Sequence, residues 1–322
     1  MQVNLTQAIH YLQQGEVVAI PTETVYGLAA DVNNEAALNK IFAVKQRPAN
    51  NPLIIHIASM HQVTDYAAEF PPLAKKLAET FWPGPLTLVL KSKPHVSAIV
   101  RADAPTVALR VPAHPLTLQL LTESGLALAA PSANRYTQLS PTLAAHVEAS
   151  LGHDIPVLDG GACQVGIEST IVSVEGDHWQ LLRHGMISAA QIVAIAGKPA
   201  LVTTGEIPKA PGQHLLHYSP NTPTCLFQET EALMGYAKTH PDCAVLLIGD
   251  VSPSFVNGLK ALTSHCVQLA QSPIKVAEQL YKVLHQLDEL KAPAILILLP
   301  PSNPEWAAIL DRLTRAGYRA PV

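Results

Sequence analysis

Four short stretches and one isolated arginine carry the residue types that hold polyanions. The stretches are Pro21-Thr22-Glu23-Thr24-Val25-Tyr26-Gly27-Leu28, Lys45-Gln46-Arg47-Pro48, Pro131-Ser132-Ala133-Asn134 and Gly166-Ile167-Glu168-Ser169-Thr170, and Arg110 lies between the second and third. Lysine and arginine neutralise phosphate or carboxylate, and the planar fork of arginine suits bidentate capture of either. Neither a G-x-x-x-x-G-K-[ST] loop nor a G-x-G-x-x-G turn accompanies them. A nucleotide held by this chain would be held by side chains.

Each of these residues also has a plainer reading. Lys45 and Arg47 come where a helix must finish before Pro48, so they can simply complement the negative end of a helix dipole. One threonine of Thr22 and Thr24 can cap the next turn, or offer a hydroxyl to a ligand. Ser132 and Asn134 can form a turn after Pro131, and Ser140 can cap a helix. Glu23, Asp159 and Glu168 can serve as acid–base groups or magnesium ligands, or only accept structural hydrogen bonds. Alternation places Ser169 beside Ile167 and Ile171, which leaves open whether Ser169 or Thr170 faces a ligand. The 14 histidines include no H-E-x-x-H, and there is no G-x-S-x-G elbow, so zinc hydrolysis and acyl transfer find no support.

The elements that must position these groups are short. Residues 17–20 read as a buried strand closed by Pro21. Asn33 or Asn34 can cap a helix whose Ala37, Leu38, Ile41 and Phe42 share one face. In 53–57, Leu53, Ile55 and Ile57 alternate with Ile54 and His56, and 107–111 repeats the pattern with Ala108 and Arg110 on the second face. His56 and Arg110 are therefore expected on one sheet face, where a buried arginine needs an anionic partner. Pro115 opens a further helix, and 126–130 and 167–174 read as strands. Residues 198–223 are proline-rich and read as a semi-rigid linker. Beyond it, strands at 243–249, 267–269 and 294–299 alternate with helices, one started by Ser272-Pro273 and one by Asn303-Pro304 that stops at Gly317. This spacing predicts a small Rossmann-like layer.

Composition narrows the classes. A chain of 322 residues with 48% hydrophobic content supports about two cores. A net charge of −4 argues against a protein that lives on nucleic acid. Four scattered cysteines, none in a C-x-x-C pair, read as reduced thiols. The first residues lack the pattern of a signal peptide, and no apolar run reaches the ~20 residues of a membrane helix, so a soluble, cytoplasmic protein is expected.

The segments PTETVYGLAAD, KQRPANNPLIIHI, FWPGPLTLVL, TVALRVPAHP, APSANRYTQLSPT, GIESTIVSV and LLRHG resemble the YrdC family. The whole chain resembles the long, two-domain threonylcarbamoyl-AMP synthases of that family. The resemblance implies a twisted mixed α/β sheet in residues 1–197, a Pro-rich linker over the active site in 198–223, and a small α/β domain in 224–322. It implies synthesis of L-threonylcarbamoyl-AMP from L-threonine, bicarbonate or CO₂, and ATP with Mg²⁺. Pyrophosphate is released, and the product serves a tRNA threonylcarbamoyltransferase, with direct tRNA binding weak or absent. By motif, Thr24, His56, Arg110, Ala130 and Ser169 would meet threonine. Lys45 and Arg47 would act on the phosphates, and Asn51, Thr106, Ser132, Ser140, Arg183 and Tyr218 would contact ATP. The chain departs from the family pattern at Gln213 and Leu215-Leu216, which puts closure by the linker in doubt. Two rivals are weaker: an RNA-binding module lacks its basic run here, and a hydrogenase-maturation carbamoyl transferase lacks its cysteine pairs.

Overall fold

A computed structural model describes residues 1–48, 50–199, 210, 211 and 218–319. These divide into two compact units, 1–136 with 140–211, and 137–139 with 218–319. Among the described residues no helix is long and apolar enough to cross a membrane.

The described strands of the first unit are β1 (Gln2–Val3), β2 (Val18–Ile20), β3 (Gly27–Asp31), β4 (Ile54–His56) and β5 (Leu86–Lys91), then β6 (Thr106–Arg110), β7 (Leu128–Ala129), β8 (Val157–Leu158), β9 (Thr170–Glu175) and β10 (His178–Arg183). They form a mixed sheet in the order β1-β8-β2-β3-β7-β4-β6-β5-β9-β10. The strands expected around 126–130 and 167–174 are present but start later, and β7 also ends one residue early. β10 was not foreseen; it returns against β9 through Gly176, whose φ of 56° suits a tight turn.

Two helices flank the first strands, α1 (Leu5–Gln13), capped by Asn4, and α2 (Glu35–Lys45). Of the two candidate caps for α2, Asn34 does the work, its side chain accepting from Ala37 N at 3.1 Å. Ala37, Leu38, Ile41 and Phe42 face the core as the spacing requires. Gln46, at φ 53°, ends the helix in the left-handed region and turns the chain toward Pro48.

The central strands are buried on both faces, and this decides where the site lies. Leu53, Ile55, Ile57, Leu88, Leu109 and Val172 face the main core. Ile54, Val89, Ala108 and Ile171 make a smaller cluster on the opposite face. His56 and Arg110 continue that second face by alternation.

The second unit carries strands β11 (Thr224–Phe227), β12 (Ala244–Ile248), β13 (Cys266–Leu269), β14 (Ile295–Leu298) and β15 (Tyr318–Arg319). They form an all-parallel sheet ordered β13-β12-β14-β11-β15. The helices Thr230–Thr239, Pro253–Lys260, Pro273–Glu289 and Ala307–Ala316 connect them in a Rossmann-like layer; the sequence points to the last two of these, while the first two and strands β11 and β15 were not foreseen. One detail is corrected: Ser272 occupies the cap position before Pro273, but its side chain makes no capping hydrogen bond. The proline's fixed φ and missing N–H suit that first turn.

Candidate active site

β4 and β6 run parallel in a register that sets His56 directly opposite Arg110. The buried guanidinium has the anionic partner that its burial demands. Nη2 of Arg110 meets Glu23 Oε1 at 2.6 Å, Nη1 donates to Thr24 Oγ1 at 3.0 Å, and Nε donates to the Gly84 carbonyl at 3.2 Å. The other Glu23 oxygen accepts from Ala113 N at 3.0 Å. Burial pushes the Glu23 carboxyl up, but the adjacent Arg110 charge outweighs it and holds the group below the usual carboxylate range. A guanidinium offers five N–H groups, and among the described residues three are used here. One N–H on each terminal nitrogen is left for a ligand.

The two threonines play different structural parts. Thr22 Oγ1 accepts from Val25 N at 3.1 Å and from Thr24 N at 3.2 Å, which pins the turn. Thr24 Oγ1 then lies 2.8 Å from Thr22 Oγ1 and faces Arg110. Ala130 sits just past β7, its N–H donating to the Ile54 carbonyl at 3.1 Å. Gly27 allows this approach, because a side-chain carbon there would lie 3.1 Å from Ala130 Cβ.

His56 is fully buried, with Nδ1 3.2 Å from the Ile54 carbonyl oxygen. Burial first, and the Arg110 charge second, press its pKa down to about 3. It is therefore a neutral polar group at physiological pH. The unfolded chain takes up a proton near the ordinary value of 6.5 while the folded chain does not. Stability should fall as pH drops from about 6.5 toward 3, this group contributing a slope of ~1.4 kcal/mol per pH unit. His56→Gln should remove about one proton's worth of that slope in denaturant titrations between pH 4 and 6. An unchanged slope would show that another group drives it.

Lys45, the last residue of α2, is 1% exposed. Its ammonium donates to the carbonyl oxygens of Ser132 and Asn134, both at 2.5 Å, which ties the helix end to the 131–136 loop. Burial, then the neighbouring Arg47 charge, lowers its pKa well below the ordinary lysine value. Dipole complementation alone does not account for such burial. Arg47 is buried too and donates from Nη2 to the Pro52 carbonyl at 3.0 Å. Asn51 donates to the Tyr136 hydroxyl at 3.3 Å. Ser140 caps no helix; its hydroxyl donates to Glu168 Oε1 at 2.5 Å. Asp159 is a structural acceptor for Tyr26 OH and Gly161 N.

Ser169 and Thr170 turn to opposite faces of the sheet. Ser169 Oγ lies 2.7 Å from Thr87 Oγ1 and accepts from Arg183 Nη2 at 3.1 Å, on the sheet face of Ile171, His56 and Arg110. Thr170 turns the other way and donates to the Ile187 carbonyl. Arg183 also donates to the Ser169 and Pro211 carbonyls. Gly185 permits this packing, since a Cβ there would lie 2.3 Å from Thr170 N. Thr87 was missed in the sequence; it is fully buried in β5, whose other polar residue, Lys91, is exposed at the strand end.

Thr106 stands apart, four residues or ~13 Å along β6 from Arg110, at a cavity of about 510 Å³ also lined by Val89 and Ser173. Tyr218 belongs to the second unit, where its ring packs against Tyr281 at 6.0 Å with the Arg312 guanidinium 5.1 Å from its centroid. Gln213 and Leu215-Leu216 lie outside the described residues. Among the described residues no group of three or more His, Cys, Asp or Glu is placed to hold a metal ion.

The first unit is a mixed sheet that carries buried cations and hydroxyls, and it matches the Sua5/YciO/YrdC family model. The family model described as "Telomere recombination" matches residues 10–185, and the one described as "Threonylcarbamoyl-AMP synthase, C-terminal domain" matches residues 187–317. The threonylcarbamoyl-AMP synthase of Bacillus subtilis (strain 168) is 39% identical, over 97% of this chain and 92% of its own. That of Pyrococcus abyssi (strain GE5 / Orsay) is 36% identical over 97% and 94%. A crystal structure of P. abyssi Sua5 complexed with L-threonine matches with a TM-score of 0.88 and 33% identity, over 99% of this chain and 98% of that one. The chain belongs to the threonylcarbamoyl-AMP synthase family.

Proposed function

We propose that this enzyme condenses L-threonine, bicarbonate or CO₂, and ATP into L-threonylcarbamoyl-AMP with release of pyrophosphate. The observation that carries the reading is the pairing of two buried sites in one unit: His56 with Arg110, and Lys45 with Arg47. The P. abyssi relative was crystallised with L-threonine, and the two remaining Arg110 N–H groups suit the carboxylate of that amino acid. Thr24, neutral His56, Ala130 and Ser169 would surround the rest of it.

The amine of threonine adds to CO₂ and loses a proton, giving an N-carboxylate. One of its oxygens attacks the α-phosphorus of ATP; the new P–O bond forms as the bond to the β-phosphate oxygen breaks and pyrophosphate leaves. Every participant is an anion, so catalysis requires positioning and charge neutralisation rather than a protein nucleophile. Lys45 and Arg47 would receive the charge of the leaving pyrophosphate. Asn51, Ser132, Ser140 and Arg183 would fix the nucleotide, with Thr106 as a more distant contact. Of the two carboxylates buried here, Glu23 is engaged by Arg110 and Ala113, and Glu168 by Ser140. They form no magnesium cage, so Mg²⁺ would arrive on the ATP phosphates.

The product, a reactive carbamoyl adenylate, would pass to a tRNA threonylcarbamoyltransferase for threonylcarbamoyladenosine formation, in the cytoplasm. Pyrophosphate release from ATP should require both L-threonine and bicarbonate. Release at the same rate without threonine would overturn the assignment.

A further inference from the structure

The second unit contains a crevice of about 590 Å³ in the described residues, at the carboxyl ends of β11, β12 and β14. Its position follows from the strand order. The chain leaves β12 toward β13 at one edge, whereas it leaves the adjacent β14 toward β15 at the opposite edge. Adjacent strands whose connections depart in opposite directions open a gap beyond their carboxyl ends, and open parallel sheets bind ligands there. Ile248, Asp250 and Val251 after β12, and Leu298, Leu299 and Pro300 after β14, line this one.

The lining restricts the ligand. No lysine, arginine or histidine is present in it, while the carboxylates of Glu229 and Asp250 are. Neither side chain makes a hydrogen bond or ion pair with another described residue, so both are available to donors. Where a dinucleotide-binding sheet carries its glycine-rich phosphate turn, after the first strand, this unit has Gln228-Glu229-Thr230. Both features disfavour phosphates. An acidic residue just beyond the second strand, however, is the group that takes ribose hydroxyls in such sheets, and Asp250 stands two residues past the end of β12. The apolar side, Val251, Leu299 and Pro300, offers a surface for a flat base.

We propose that this crevice binds a nucleoside without phosphates, its ribose hydroxyls on Asp250 and Glu229 and its base against Val251, Leu299 and Pro300. The proposal rests on the second unit alone and stands or falls independently of the reaction assigned to the first.

The test is calorimetric titration of the full chain, carrying Arg47→Ala to weaken nucleotide binding in the first unit, with adenosine, guanosine, cytidine and uridine. At least one should bind with a Kd below about 1 mM, and its 5′-monophosphate should bind more weakly because of the two carboxylates. Asp250→Asn should weaken that nucleoside ~10-fold, the loss of a charged hydrogen-bond partner. Ser302→Trp, an exposed lining position, should block it by filling the crevice. In the chain with Arg47 intact, neither substitution should change threonine-dependent pyrophosphate release. Absence of binding by all four nucleosides, or equal affinity in Asp250→Asn and Ser302→Trp, would overturn the proposal.

Discussion

Arg110→Met should lower the unfolding free energy by ~3–5 kcal/mol and remove threonine-dependent turnover. The two losses have different causes. The stability loss comes from Glu23, left as an unpaired charge with only the Ala113 N–H and a 6% exposed side chain. The activity loss comes from the missing fork that would hold the threonine carboxylate. A second substitution separates them. Adding Glu23→Gln should return most of the stability, because the stranded charge is gone, while turnover stays absent. Denaturant unfolding and pyrophosphate release measured on the single and double variants check both halves. A double variant as unstable as the single one would show that the ion pair is not what holds this corner together.

Lys45→Ala and Arg47→Ala should each reduce turnover ~10²–10³-fold, the scale expected for one charged or polar group aimed at developing charge in a dry site. The folds should survive. Lys45 is expensive to bury in the absence of an anion, and its removal relieves that cost while freeing two carbonyls, Ser132 and Asn134. Cooperative thermal unfolding in both variants, with pyrophosphate release falling, is the expected pair of observations. Full activity in both would show that the phosphates lie elsewhere.

Much of this site was legible because alternation is a strict rule. A strand with Leu53, Ile55 and Ile57 on one side must put His56 on the other, and 107–111 repeats the argument for Arg110. The partner of Arg110 was not legible. Glu23 is 87 residues away in sequence on a turn after β2, and no periodicity links a turn to a strand. The ambiguity at Ser169 has a similar origin. β9 is buried on both faces, so the apolar character of Ile171 could not say which side held the ligand face. The short strands β7 and β15 were blurred for a simpler reason: two residues carry almost no pattern. In the second unit the layer order was readable as alternating strands and helices. The pairing order that creates its crevice was not, because periodicity is silent about which strand lies beside which.

That pairing order also has a consequence for how the chain matures during synthesis. β11, the first strand of the second unit, is flanked by β14 and β15, and the register joins Thr224 to Ile295 and Cys225 to Tyr318. A nascent chain therefore carries β11 with both edges open until β14 has been made, about 70 residues later, and with one edge open until β15 follows. Its run Thr224-Cys225-Leu226-Phe227 is uncharged and apolar, the kind of exposed edge that invites pairing with other chains. The unit closes only when its last strand emerges.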